Sequence, residues 1–189
     1  HKMKQKLHYS LLSFLLLLPT LIFANSIPAN NYKISKERII QKSYNVDKDA
    51  TLKVSNRFGN VDIITWDENT IEFDVLIRVS GNSADKVEDK LERIDVDFSA
   101  SSSLVSAITK IEKNKSNWWN WGKKMNLKLE INYVIKIPIT NSINISNDFG
   151  SVNVDTLEGV AKISCNHGNI TTKELMADGN ELNFDHTKD

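Results

Sequence analysis

Apolar and polar residues alternate along most of the chain, and a two-residue period predicts β-strands with one buried face. The alternation runs through residues 40–46, 52–54, 61–63 and 71–79. It returns in "IDVDFS", in "LVSAITKIE" and in the long run "MNLKLEINYVIKIPI". Turn-forming residues in "DKDA" and "WDENT" separate the first runs. The pattern predicts a mainly β protein.

One segment, "NSADKVEDKLERI", departs from this period and predicts an amphipathic helix over about 83–93. Its apolar residues recur at helical spacing: Ala84, Val87, Leu91 and Ile94. Asn82 or Ser83 suits the N-cap, and Asp85 is favourable near the positive helix end. The helix is therefore an insertion in a β-rich chain.

A short unit occurs three times, as "LKVSNRFGNVDI" at 52–63, "INISNDFGSVNV" at 143–154 and "AKISCNHGNITT" at 161–172. Each copy has a strand, a polar corner, a ring, a glycine and a second strand. The structural corner positions are Phe58, Gly59, Phe149, Gly150, His167 and Gly168. Glycine in a tight corner predicts a positive φ, and the ring is expected to cover the corner.

Units of this size bury their apolar face by stacking, which predicts a β-solenoid with stacked short strands. The alternative is an antiparallel β-sandwich with similar hairpin corners. The expected organisation is a signal peptide over 1–24, a linker over 25–37, a β-rich region over 38–140 and solenoid repeats over 141–189. Because "GNELNFDHTKD" begins another strand-like segment, we expect a truncated chain with further repeats.

The first residues predict export. Lys2, Lys4 and Lys6 precede an apolar run from Leu11 to Phe23, as in secretory signal peptides, and cleavage is expected near Ala24. The alternative is an uncleaved anchor, but the run is short for a membrane span and contains Pro19. The expected location is the periplasm, the outer-membrane surface or the extracellular space.

Charge and cysteine content narrow the function classes. Without the three lysines of the signal, 21 basic residues stand against 24 acidic ones, and no segment concentrates the basic ones. Nucleic-acid binding is therefore not expected. Cys165 is the only cysteine, so an internal disulfide is impossible; the residue pairs between chains or lies half-buried inside the repeat.

Taken together, these segments resemble an exported bacterial adhesin-like family with repeated Asn-aromatic-Gly units. The resemblance rests on "VSNRFGNVDIITWDENTIEFDVLIRVS", "SADKVEDKLERI", "INYVIKIPI" and the pair "ISNDFGSVNVDTLEG" and "CNHGNITTKEL". The family is related to auto-transporter adhesin head domains of the GIN type. The resemblance implies a β-solenoid at the cell surface or envelope and brings no catalytic residues. His167 departs from the family unit, where an aromatic ring is usual.

No catalytic or metal-binding arrangement follows from the motifs. An enzyme on stacked strands needs carboxylates in one column. The aligned columns hold Asp62, Asn153 and Thr171 in one case, and Ile64, Asp155 and Lys173 in another. No column has two carboxylates, and His167 with Cys165 makes too small a ligand set for a metal site. We expect no enzyme activity, no cofactor and no metal, and we assign no role to His186.

An inserted loop over 113–124, "KNKSNWWNWGKK", interrupts the strand pattern. Trp118, Trp119 and Trp121 are its candidate contact residues, for a glycan, a protein or a membrane surface. The alternative is that these rings fold back and close an open end of the β-structure.

The function that the sequence favours is a non-enzymatic exported scaffold of the cell envelope or surface, with an adhesin-like binding role. One alternative is a polysaccharide-active enzyme on a β-helix, and the other is a periplasmic sensor or accessory subunit of a membrane complex. The oligomeric state and the ligand are left open.

Overall fold

The computed structural model describes residues 32–112 and 126–185, and the predicted mainly β fold is confirmed over these ranges. The predicted signal peptide (1–24), most of the linker and the tryptophan loop lie outside the described residues. The strands are β1 (Ile34–Asn45), β2 (Thr51–Arg57), β3 (Val61–Trp66), β4 (Thr70–Gly81), β5 (Ile94–Ala100), β6 (Leu104–Ile111), β7 (Leu127–Pro138), β8 (Ser142–Asp148), β9 (Val152–Val154), β10 (Ala161–Asn166), β11 (Ile170–Thr172) and β12 (Glu181–Asp185). One helix, α1 (Ala84–Glu92), follows β4.

The strands form two mixed sheets. Sheet A has the order β1-β4-β7-β3-β9-β11, and sheet B has the order β12-β10-β8-β2-β6-β5. Antiparallel pairing is confined to β1–β4–β7 and to β5–β6, and the other neighbours pair in parallel. The alternative prediction, an antiparallel β-sandwich, requires antiparallel neighbours, and these occur in only one part of each sheet.

Buried side chains from both sheets form one hydrophobic core. The alternation seen in the sequence produces it directly: in β3, Val61 and Ile63 are buried while Asp62 and Ile64 point away. Tyr133 is fully buried in this core, and its hydroxyl forms a 2.7 Å hydrogen bond with the Thr109 hydroxyl. Burial raises the pKa of Tyr133 to about 12.

Helix α1 lies where the periodicity predicts it. Val87 and Leu91 are buried, and the helix contacts β1 and β4 of sheet A and β5 of sheet B. Ser83 occupies the N-cap without a side-chain cap bond; its carbonyl accepts a 3.0 Å hydrogen bond from the amide of Val87. Lys36 of β1 pairs with Glu88 on the helix. The helix thus joins the two sheets at the end formed by their antiparallel strands.

The corners of the three similar units differ from the prediction in one respect. Positive φ occurs at the ring and not at the glycine: φ is 67° at Phe58, 59° at Phe149 and 56° at His167. Among the described glycines, only Gly179 has a positive φ. Each ring residue therefore holds the left-handed conformation, which is uncommon for residues other than glycine.

Glycine is required at these corners because neighbouring backbones come too close for a side chain. A Cβ on Gly59 would lie 2.0 Å from the Ile131 carbonyl oxygen, and one on Gly150 would lie 1.9 Å from that of Gly59. A Cβ on Gly168 would lie 1.9 Å from the carbonyl oxygen of Gly150. The glycines therefore form a column of direct backbone contacts between parallel strand pairs.

Two boundaries also differ from expectation. Strand β1 begins at Ile34, inside the segment assigned to the linker, because β4 is long enough to pair with it as far as Gly81. Strands on both sides of residue 140 pair with each other, as in β2 with β8 and β3 with β9. The predicted β-rich and repeat regions therefore share both sheets.

Candidate binding surface

The outer face of sheet A carries two rows of side chains; we call this surface the sheet A face. Row 1 crosses all six strands, whereas row 2 crosses four strands and ends on the residues that follow β9 and β11. Row 1 follows the strand registers and consists of Gln41, Asp74, Val134, Asp62, Asn153 and Thr171. Row 2 lies two positions further along the strands and consists of Ser43, Glu72, Lys136, Ile64, Asp155 and Lys173. The strands thereby bring together six separate stretches of the chain.

Local alternation places these side chains outside. In β7, Tyr133, Ile135 and Ile137 are fully buried, so Val134 and Lys136 point to the opposite side. In β9, Val152 and Val154 are buried, which turns Asn153 outward. The same two-residue period that builds the core therefore also builds the sheet A face.

Polar contacts link neighbouring strands within the rows. The Asn153 amide donates a 2.6 Å hydrogen bond to one oxygen of Asp62. Lys173 and Asp155 form an ion pair of 2.8 Å, and this hydrogen bond, with one from the amide of Thr156, holds the pKa of Asp155 below its ordinary value. Lys136 lies 3.8 Å from Glu72, so both of these lysines have a carboxylate partner.

Apolar groups lie among these polar ones. Ile39, Ile64 and Val134 all point outward on sheet A and have exposed fractions of 61%, 41% and 39%. The Lys136 ammonium lies 5.1 Å from the centroid of the Trp66 ring, and the Trp66 indole donates to the Thr70 carbonyl over 2.9 Å. The sheet A face is therefore a mixed apolar and hydrogen-bonding surface.

Two shallow depressions lie on this face. The first, of about 300 Å³, lies over β3, β9 and β11 and is lined by side chains that include Asp62, Ile64, Asn153, Asp155 and Lys173. The second, of about 480 Å³, lies over β1, β4 and β7. Val134 and Lys136, which line the second depression, are the register neighbours of Asp62 and Ile64, which line the first. The two depressions are therefore adjacent.

The predicted corner residues come together where three strands of sheet B (β2, β8 and β10) turn into three strands of sheet A (β3, β9 and β11). The ring centroids of Phe58 and Phe149 are 5.4 Å apart, and those of Phe149 and His167 are 4.7 Å apart, with nearly parallel planes. The Arg57 guanidinium lies 5.2 Å from the Phe58 centroid and 3.8 Å from an oxygen of Asp148. Phe149 keeps 43% of its surface exposed, so the rings cover the corner by stacking without full burial.

Cys165 is fully buried and not half-buried as expected. In the strand registers it occupies the same column as Asn56 and Asn147. The Asn147 amide donates a 2.9 Å hydrogen bond to the carbonyl of Gly59, and the Cys165 thiol donates to that of Gly150 over 3.2 Å. Burial raises the pKa of Cys165. The residue is thus part of the packing between strand pairs.

Some candidates of the sequence analysis are not placed by the structure. Trp118, Trp119, Trp121 and His186 lie outside the described residues. Within 32–112 and 126–185, no group of three or more His, Cys, Asp or Glu side chains is arranged to hold a metal ion. Over the same ranges, no helix has the length and apolar character needed to span a bilayer.

Half of the residues of the sheet A face lie in the aligned columns of the repeated unit, where the sequence indicates no function for them. These residues are Asp62, Asn153, Thr171, Ile64, Asp155 and Lys173. Val134 and Lys136 are not in those columns, because β7 is not a copy of the unit. The alternation in "INYVIKIPI" marks both residues as outward but cannot identify β3 as their neighbour.

Comparisons with known proteins give no family. No protein-family model matches the chain, and no curated protein matches it significantly. A candidate cell adhesion protein from Clostridium sporogenes ATCC 15579 is similar with a TM-score of 0.48 and 11% identity, over 79% of this chain and 68% of that chain.

Two candidate adhesins are also similar. The one from Bacteroides fragilis NCTC 9343 has a TM-score of 0.31 and 15% identity, over 72% of this chain and 56% of that chain. The one from Parabacteroides merdae ATCC 43184 has a TM-score of 0.30 and 10% identity, over 71% and 56% of the two chains. The chain thus spans little more than half the length of these two proteins. At these TM-scores, none of the three similarities carries an argument about function.

Proposed function

We propose that the protein is a non-enzymatic, exported binding protein of the bacterial cell envelope or surface, with an adhesin-like role, and that the sheet A face is its contact surface. The observation that carries the proposal is the continuity of the two rows. Six strands at a spacing of about 4.8 Å give a face about 24 Å wide, which is enough for an extended ligand. Exposed Ile64 and Val134 add apolar contact area within it.

In this proposal the units at 52–63, 143–154 and 161–172 are successive turns of a solenoid-like scaffold. The parallel pairing of β2, β8 and β10 in sheet B and of β3, β9 and β11 in sheet A supports it. A stacked scaffold of this kind holds outward side chains at a fixed spacing. Export through residues 1–24 is part of the same proposal.

The enzyme alternative has less support from the geometry. A glycoside hydrolase of the usual type needs one carboxyl group that is protonated near neutral pH. Lys173 lowers the pKa of Asp155, which keeps this carboxylate ionised. Asp62 has Asn153 and Val134 as register neighbours, and neither is a carboxylate.

Cosedimentation of the purified full chain with bacterial cell walls and with intact bacterial cells tests the proposal. The double variant Ile64→Lys, Val134→Lys places charge on the sheet A face at two positions that are already exposed, so it should fold. Leu104→Lys is the matched control, because Leu104 is 47% exposed and belongs to sheet B.

We expect the wild type and the control to sediment with at least one of these materials and the double variant to stay in the supernatant. Circular dichroism spectra should be the same for all three proteins. If the folded double variant sediments like the wild type, the sheet A face is not the contact surface. If the wild type sediments with neither material, the binding role itself is wrong.

A further inference from the structure

We infer that the depression over β3, β9 and β11 is a binding site for a neutral, hydroxyl-rich sugar chain. This inference rests on the proposed function and assigns a ligand class to its contact surface. Three properties of the depression favour this class: its unused hydrogen-bonding capacity, its apolar floor and its charge.

The hydrogen-bonding capacity comes from the pair Asp62 and Asn153. Their mutual 2.6 Å bond uses one carboxylate oxygen and one amide N–H. A carboxylate has two oxygens, and an amide has a second N–H and its own oxygen. The pair therefore offers acceptors and a donor side by side, and the outward hydroxyl of Thr171 adds both functions in the next strand. Adjacent hydroxyl groups of a sugar ring need this combination.

The apolar floor comes from Ile64. Its side chain is 41% exposed and lies between Lys136 of β7 and Asp155, which follows β9. Sugar rings are amphipathic, because their C–H groups form apolar faces while their hydroxyl groups project around the ring. Binding sites for such molecules combine apolar surface with a few well-placed polar groups. Ile64 beside the Asp62–Asn153 pair provides this combination.

The charge of the depression disfavours acidic sugars. Lys173 is paired with Asp155 at 2.8 Å, and Lys136 is near Glu72 at 3.8 Å, so the two lysines are largely neutralised. Asp62 then contributes a carboxylate whose partner is an amide, and among residues 32–112 and 126–185 no cation pairs with it. A negatively charged ligand would meet uncompensated negative charge at this point, whereas a neutral one would not.

The dimensions favour a chain of several sugars over a single one. The second depression adjoins the first through Val134 and Lys136, and the rows continue to β1. A ligand that crosses the strands therefore meets a new pair of side chains about every 4.8 Å. One sugar ring would contact only the part of the rows near Asp62 and Ile64.

Isothermal titration calorimetry on the purified full chain tests the inference. The probes are cellotetraose, chitotetraose and mannotetraose as neutral oligosaccharides, tetragalacturonate as the acidic one, and glucose as a single sugar. The variants are Asp62→Ala and Asn153→Ala. Asp97→Ala is the control, because Asp97 is an exposed carboxylate on β5 of sheet B.

We expect at least one neutral tetrasaccharide to bind, with glucose and tetragalacturonate binding more weakly. Asp62→Ala and Asn153→Ala should each raise the Kd of that tetrasaccharide roughly tenfold, as expected for a lost hydrogen bond to a charged or buried group, while Asp97→Ala leaves it unchanged.

Three results would overturn the inference: no binding of any of the three neutral probes, binding of tetragalacturonate at least as tight, or equal affinity in the folded Asp62→Ala protein. The proposed function is tested separately. Suppose that cell-wall binding depends on Ile64 and Val134 but that the neutral probes which bind do not compete with the cell wall. This result would defeat the inference and leave the proposed function standing. Binding of a neutral probe without any cell-wall or whole-cell binding would defeat the proposed function alone.

Discussion

The close backbone contacts at the corner glycines predict how much stability the substitution Gly150→Ala would cost. The new Cβ would lie 1.9 Å from the Gly59 carbonyl oxygen and 2.5 Å from its carbon, and real Cβ atoms essentially never come closer than 3.0 Å to another heavy atom. The two backbones must therefore separate by about 1.1 Å. Because Gly150 does not have a positive φ, the cost comes from this separation and not from backbone strain.

The separation would break the hydrogen bonds that cross the same gap. These include bonds from the Phe58 amide to the Asp148 carbonyl and from the Asn147 side chain to the Gly59 carbonyl, both 2.9 Å long. If the donor–acceptor distances increase by about an ångström, they exceed hydrogen-bonding distance. With about 1 kcal/mol for each bond and 1–3 kcal/mol for overpacking, we expect a loss of roughly 3–5 kcal/mol. For a chain of this size, at about 2–4 °C for each kcal/mol, the melting temperature should fall by roughly 6–20 °C.

Gly179→Ala is the matched control. Gly179 has a φ of 85°, and nothing lies within 4 Å of a Cβ built on it. Its substitution therefore adds backbone strain of about 1–2 kcal/mol without a clash. Urea denaturation followed by circular dichroism, together with calorimetric melting, measures both variants in the full chain. If Gly150→Ala costs no more than Gly179→Ala, the close backbone contact is not what requires glycine at the corner.

Phe149 at the corner and the buried residues Tyr133 and Cys165 have effects that can be measured. Phe149→Gly should be more stable than Phe149→Ala by roughly 1 kcal/mol in urea denaturation, because alanine keeps the strain of the 59° φ; the opposite order would contradict the left-handed corner. Burial raises the pKa of Tyr133 from 10.0 to about 12, so its contribution to stability is present below pH 10 and is lost as the pH rises towards 12. Tyr133→Phe should flatten this loss in denaturation curves measured across that range, and an unchanged slope would argue against burial as the cause. The Cys165 thiol should react with a disulfide reagent such as DTNB only in the unfolded protein, since it is fully buried with a raised pKa; fast reaction of the native chain would show that it is accessible.

Local patterns were sufficient to predict the elements of the fold. The change from a two-residue to a helical period located α1, and alternation located the strands, because both depend only on which residues of a segment are buried. The order of strands in the sheets was not predictable in this way. Nothing in the sequence of β7 states that it lies between β4 and β3, antiparallel to one and parallel to the other.

The corner shows the same limit at a single residue. Gly59, Gly150 and Gly168 are recognisable from the sequence as corner residues, but the predicted reason, a positive φ, is wrong. Two different requirements select glycine, a positive φ and a close backbone approach, and only the structure distinguishes them. The close approach involves a strand pair far away in the chain, so a local motif does not contain it. Similarly, the sheet A face was visible only as separate columns until the register joined Asp62 to Val134.

The parallel registers give the sheet A face a modular length. Each strand–corner–strand unit adds one residue to row 1 and one to row 2, as Thr171 and Lys173 extend the pair Asn153 and Asp155. The backbone contacts at the glycines and the strand pairing do not involve the outward side chains, so these side chains can be exchanged without altering the spacing between strands. Duplicating one unit would therefore lengthen the sheet A face by one strand spacing, about 4.8 Å. Substituting one outward residue would change the face at a single position.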